Sequence, residues 1–217
     1  RFCTRRNNMA VISRSTSVRL LVIRLSAMGD VAMVAPVLVA LRRNYPNLRI
    51  TVLTPKFLQP FFREVGNIEF FAPDLKGRHK GVAGLLRLGR DLGRFDMVAD
   101  LHDVLRSKGL CRLMKLRGTR IERIDKGRAE KKMLTAPENK QRGQLKTTVE
   151  RYREVFVRLG FDLPEIPLPS RIRYPMSEAV ARLAGAHDGT WIGVSPFAQH
   201  EGKIYPLDKM REAMLRL

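Results

Sequence analysis

Acidic residues are scarce in this 217-residue chain: 21 Asp and Glu stand against 41 Lys and Arg, a formal net charge of +20. That imbalance says little about fold. It points to anionic partners, whether nucleic acid, an anionic membrane surface or phosphorylated substrates. Cysteine is almost absent. Cys3 and Cys111 build no disulfide framework, and a reducing cytosol is the simpler setting. No apolar run approaches the ~18–20 residues that span a bilayer; the stretch from Val31 to Leu41 is followed by Arg42 and Arg43. Residues 1–17, RFCTRRNNMAVISRSTS, lack the apolar stretch of a signal peptide. They read as a basic disordered arm or, with Met9 as the natural start, as an artefact of where the gene was read to begin. Neither GxGxxG nor a P-loop is present, which disfavours a nicotinamide enzyme or an NTPase. Zinc spacings and a nucleophile elbow are missing as well.

What is present is an alternation of strands and helices, with 44% hydrophobic residues to build a core. Val18–Arg24 is a continuous apolar run with β-branched residues, as in a strand buried on both faces. Asp30–Asn44 reads as a helix, with Pro36 a kink or an early-turn residue. Further strands are expected at Leu48–Leu53, Ile68–Phe71, Phe95–Leu101 and Thr119–Ile124. Helices are expected at Pro55–Val65, Gly81–Gly93, Val104–Leu116 and Thr147–Leu159. Residues 125–146 form a basic connection with no clear period, and Phe161–Pro175, with four prolines, reads as a linker. Beyond it come a helix at Ser177–Ala184, a strand at Trp191–Ser195 and a helix from Leu207 to Leu217. The pattern is α/β with a mostly parallel sheet.

In such sheets ligands bind beyond the carboxyl ends of the strands. Asp30 sits there, after the first strand. Its bland reading is a carboxylate in the first turn of a helix, favoured by the dipole by ~0.3–1 kcal/mol. Its functional reading is a general base, with Gly29 leaving room for close approach. Asp100, His102 and Asp103 follow the fourth strand. A metal site there lacks an evident third ligand, and a strand-end aspartate capping the next helix is the simpler account. Lys203, in the loop after Ser195, is either a phosphate partner or a solvated lysine.

Three stretches together are similar to the family 9 glycosyltransferases, the ADP-heptose:lipopolysaccharide heptosyltransferase family. They are LLVIRLSAMGDVAMVAPVLVALRRNYP, FDMVADLHDVLRSKGL and GVSPFAQHEGKIYPLDKM. The first carries a Lys/Arg-x-Ser-x-Met/Leu-Gly-Asp loop followed by a proline, filled here by Arg24, Ser26, Met28, Gly29, Asp30 and Pro36. The resemblance implies a GT-B fold of two Rossmann-like domains, with only the start of the second present. It implies inverting, metal-independent transfer of a sugar from a nucleotide-sugar donor such as ADP-heptose, with no cofactor. Asp30 would be the catalytic base. Lys203, Ser195 and Gly29 would meet the donor, and Ser26, Met28, His102, Asp103 and Arg106 the acceptor. Two departures stand out. His102-Asp103 replaces a frequent Gln-Gly, and the family's Asp-Ser/Thr-Gly-x-x-His donor motif does not occur, so this chain alone is not expected to turn over.

The expected organisation is therefore the basic arm 1–17, an acceptor domain 18–170, and a linker with the start of a donor domain, 171–217. Residues 104–146 hold 14 Lys and Arg against 4 Asp and Glu, half of the net excess. They suit a lipopolysaccharide inner core or another anionic glycolipid at the inner face of the cytoplasmic membrane, at ~1 kcal/mol per basic residue near an anionic surface. The alternatives are a non-catalytic remnant that binds acidic glycolipid and a nucleic-acid-binding protein. The latter is disfavoured: the basic segment has no aromatic residue for stacking, and no RNA-binding module is recognisable.

Overall fold

The computed structural model describes residues 12–13, 17–137, 143–164, 166, 175–185, 191–198 and 200–217. The chain divides into two compact units, Arg1–Ser170 and Arg171–Leu217. The arm 1–17 lies almost wholly outside the described residues, as does much of the linker 161–175.

The first unit is a five-stranded sheet, all parallel, in the order β3-β2-β1-β4-β5. The strands are β1 (Arg19–Ile23), β2 (Arg49–Leu53), β3 (Glu69–Phe71), β4 (Met97–Asp100) and β5 (Arg120–Arg123). Central position explains the unbroken apolar run of β1. Leu20 and Val22 face one core, Leu21 and Ile23 the other, and all four are fully buried. The first core is closed by α2 (Ala35–Asn44) and α6 (Thr148–Arg158) through Leu38, Leu41, Tyr152, Val155 and Phe156. The second is closed by α3 (Gly81–Asp91) and α4 (Leu105–Lys115) through Leu88, Leu110, Cys111 and Met114. Helices on both faces of a parallel sheet make a Rossmann-like layer.

Three local expectations are revised. The helix expected over Asp30–Asn44 is two helices, α1 (Met28–Ala32) and α2, with Pro36 in the first turn of α2. Proline has no N–H to give and its ring opposes the carbonyl four residues earlier, so α1 cannot run through. The segment Lys56–Phe62 is a 3-10 helix with Pro60 inside it, a residue that also breaks α-helical bonding. The basic connection holds a helix, α5 (Arg128–Leu134), with no buried residue and hence no apolar period to reveal it.

The second unit contains α7 (Glu178–Ala184) and α8 (Leu207–Met214), with a 3-10 turn at Glu201–Lys203. The strand expected at Trp191–Ser195 does not form, and these residues are exposed.

Candidate active site

The loop from β1 to α1 carries Arg24 to Asp30 across the carboxyl edge of the sheet. Arg24 is buried, continuing the strand's inward pattern, and its guanidinium is held from two sides. Nη1 donates to the Leu101 carbonyl at 2.5 Å, and Nη2 donates to Asp30 Oδ2 in an ion pair. Asp30 Oδ2 also takes a weak contact from the Ala27 N–H at 3.4 Å. Among the described residues no donor meets Oδ1, and the side chain is more than one-third exposed. One carboxylate oxygen is thus anchored while the group stays open to a ligand. A Cβ built on Gly29 would meet nothing within 4 Å, so the space next to Asp30 is free.

Tyr152, on α6, completes the mounting. Its hydroxyl donates to the Asp30 carbonyl at 3.2 Å, and its ring lies 5.9 Å from the Arg24 guanidinium carbon. Burial pushes the Tyr152 hydroxyl up to about 12, so it stays a donor at neutral pH.

Asp30 opens on a cleft of about 420 Å³ lined by Arg24, Ile124, Lys126, Lys131, Lys146, Thr147, Thr148, Arg151 and Tyr152. Five of its lining side chains are cationic, and Asp30 is its one carboxylate. Backbone carbonyls hold part of this set, and Arg24, Lys146 and Arg151 each pair with a carboxylate. Lys126 Nζ donates to the Asp103 carbonyl at 3.0 Å. Arg151, nearly fully buried, donates to the Lys146 and Asp125 carbonyls at 3.3 Å each, and pairs with Glu130 at 2.5 Å. Lys146 pairs with Glu154. Burial pulls Lys126 below the usual lysine range. Gly127 makes this packing possible: its φ is +60°, and a Cβ there would lie 2.3 Å from the Arg151 guanidinium.

A second hollow of about 540 Å³ meets the same loop, lined by Leu25, Ser26, Leu75, His102, Val104, Leu105 and Arg106. Burial, with Arg24 nearby, pulls His102 below the usual histidine range and keeps it neutral at pH 7. Its Nδ1 is buried with no hydrogen-bond partner among the described residues.

The sequence-expected residues divide as follows. Asp30 and the first cleft stand together; Ser26, His102 and Arg106 line the second hollow. Met28 is exposed at the start of α1. The Asp103 carboxylate is engaged by Lys108 at 3.2 Å. Asp100 is fully buried: Oδ1 accepts the His102 and Asp103 N–H groups at 3.1 and 2.9 Å, and Cys111 Sγ lies 3.8 Å from Oδ2. It caps the turn after β4 rather than the helix. Among the described residues no three His, Cys, Asp or Glu side chains gather as a metal site. Ser195 and Lys203 belong to the second unit and are exposed within it. Sequence reasoning missed Lys126, Lys131, Lys146, Arg151 and Tyr152 as individual site residues. The excess of Lys and Arg over 104–146 was the one signal that touched some of them.

No protein-family model matches the chain, and no curated protein matches it. Solved structures do. A family 9 glycosyl transferase from Veillonella parvula superposes with a TM-score of 0.68 at 21% identity, covering 94% of this chain and 60% of that one. The E. coli heptosyltransferase WaaC with ADP superposes with a TM-score of 0.54 at 18% identity, covering 92% of this chain and 64% of that one. The chain thus spans less than two thirds of each of these structures, and over that span it has the α/β fold of GT-B glycosyltransferases.

Proposed function

We propose that this protein is an inverting, metal-independent glycosyltransferase that acts on an anionic glycolipid, with its first unit binding the acceptor. The observation that carries the reading is Asp30. It is a half-open carboxylate at the carboxyl edge of the sheet, the one acid in a cleft lined by five cations.

The chemistry follows from that placement. An acceptor sugar bearing phosphate or carboxylate groups sets those groups on Lys126, Lys131 and Arg151 and brings a hydroxyl to Asp30. Asp30 takes the hydroxyl proton as the oxygen attacks the anomeric carbon of the donor sugar. The bond from that carbon to the diphosphate breaks on the opposite face, which inverts the centre. The diphosphate leaves with the bond electrons and needs charge stabilisation more than a proton, a role assigned to Lys203. Arg24 and Tyr152 hold Asp30 in place and are positioning residues. The donor is a nucleotide sugar, ADP-heptose by resemblance, and the acceptor a lipopolysaccharide inner core or a similar lipid at the cytoplasmic membrane face.

Acceptor binding can be tested on the chain itself. Deacylated, phosphorylated core oligosaccharide is expected to bind with an affinity that falls as salt rises. Lys131→Gln is expected to weaken it about tenfold, the loss of one charge-assisted contact. Equal binding of an uncharged oligosaccharide, or tighter and equally salt-sensitive binding of RNA, would contradict the reading.

A further inference from the structure

We infer that the 3-10 segment Lys56–Phe62 is a membrane-docking surface for anionic lipid. The segment has two unlike faces. Leu58 and Phe62 are 1% and 2% exposed and belong to the core. Phe57 and Phe61, on the outer face, are 69% and 40% exposed. Among the described residues of the first unit, none covers these two outward-turned phenylalanines. Scattered apolar residues on a surface are ordinary, but a paired set of aromatic rings is a candidate contact.

The flanking residues name the partner. Lys56 opens the segment and Arg63 follows it, both exposed, on a chain with a net charge of +20. Aromatic rings bordered by cations suit the boundary between headgroups and acyl chains, where the rings enter the apolar layer and the cations meet anionic headgroups. Position agrees. The segment directly follows β2 and packs against α1, the helix that carries Asp30, at the carboxyl edge of the sheet. Met28, the first residue of α1, and Leu105, the first of α4, are also exposed at that edge. Docking there would bring the Asp30 cleft to the surface in which a lipid-anchored acceptor sits. The inference rests on the proposed function for that purpose, but lipid binding needs no transfer, so the two can fail separately.

The test is sedimentation of the full chain with vesicles of phosphatidylglycerol in phosphatidylcholine, against phosphatidylcholine alone. The expected result is binding to the anionic vesicles only, lowered about tenfold or more by Phe57→Ser with Phe61→Ser. Phe57→Leu with Phe61→Leu should keep most of it, and Lys56→Gln with Arg63→Gln should reduce it at low salt. Circular dichroism establishes that each variant is folded. Binding unchanged in the folded serine variant would overturn the inference, as would no binding by the parent chain. A parent dimer that the serine variant turns into a monomer, without vesicle binding, would reassign the face to self-association.

Discussion

Arg24 and Asp30 lie six positions apart, yet what makes them a site is Tyr152 and Arg151, more than 120 residues further on. At this scale the sequence is legible only in part. Asp30 stands out because it sits between the first strand and the first long helix, in the stretch that carries the family resemblance. A carboxylate in a helix's first turn also has a structural use. Arg151 and Tyr152 do not stand out: in the sequence Arg151 is one of several charged residues of α6, and Tyr152 one of its large apolar side chains. Gly127 is likewise silent until its φ of +60° and its closeness to Arg151 are seen. Gly127→Ala should cost about 1–3 kcal/mol through the strained backbone and the displaced guanidinium. Urea unfolding measures that cost, and acceptor titration should show weakened binding alongside it. An alanine variant as stable as the parent would mean that Arg151 has room to move and is not fixed as described.

Among the elements, the inner strands β1, β2 and β4 were readable because burial on both faces leaves largely apolar runs, and the edge strand β5 because its residues alternate. What could not be read was where local propensity yields to context. α5 has no buried face, and Trp191–Ser195 is strand-like in composition but forms no strand. α4 and α6 press titratable groups onto the two faces of the sheet, and this has a consequence for pH. Burial raises both Cys111, from 9.0 to about 12, and Tyr152, from 10.0 to about 12. In the folded chain these groups keep their protons where the unfolded chain has lost them. Their stabilisation is therefore complete below about pH 9 and is lost as pH climbs towards 12. Urea midpoints should be level up to about pH 9 and fall beyond it. The fall should be smaller in Cys111→Ala with Tyr152→Phe. An equal fall in that variant would assign the alkaline loss to other groups.

On the scale of the molecule, the charge excess and the fold converge on one edge of the sheet. Five cations line the Asp30 cleft, and two more flank the phenylalanines beside it. A fold alone hosts many activities, so the resemblance to glycosyltransferase structures gains weight from what lies at that edge: a carboxylate able to take a proton, within a field able to hold an anion. The central claim is that Asp30 performs the proton transfer. Its direct test is sugar transfer from ADP-heptose to a phosphorylated core acceptor, measured in the longest form of the protein that its gene encodes. With Asp30→Asn, turnover should fall by about 10²–10⁴ while donor binding is kept. Turnover equal to that of the parent would show that Asp30 is only the ion-pair partner of Arg24 and that the base lies elsewhere.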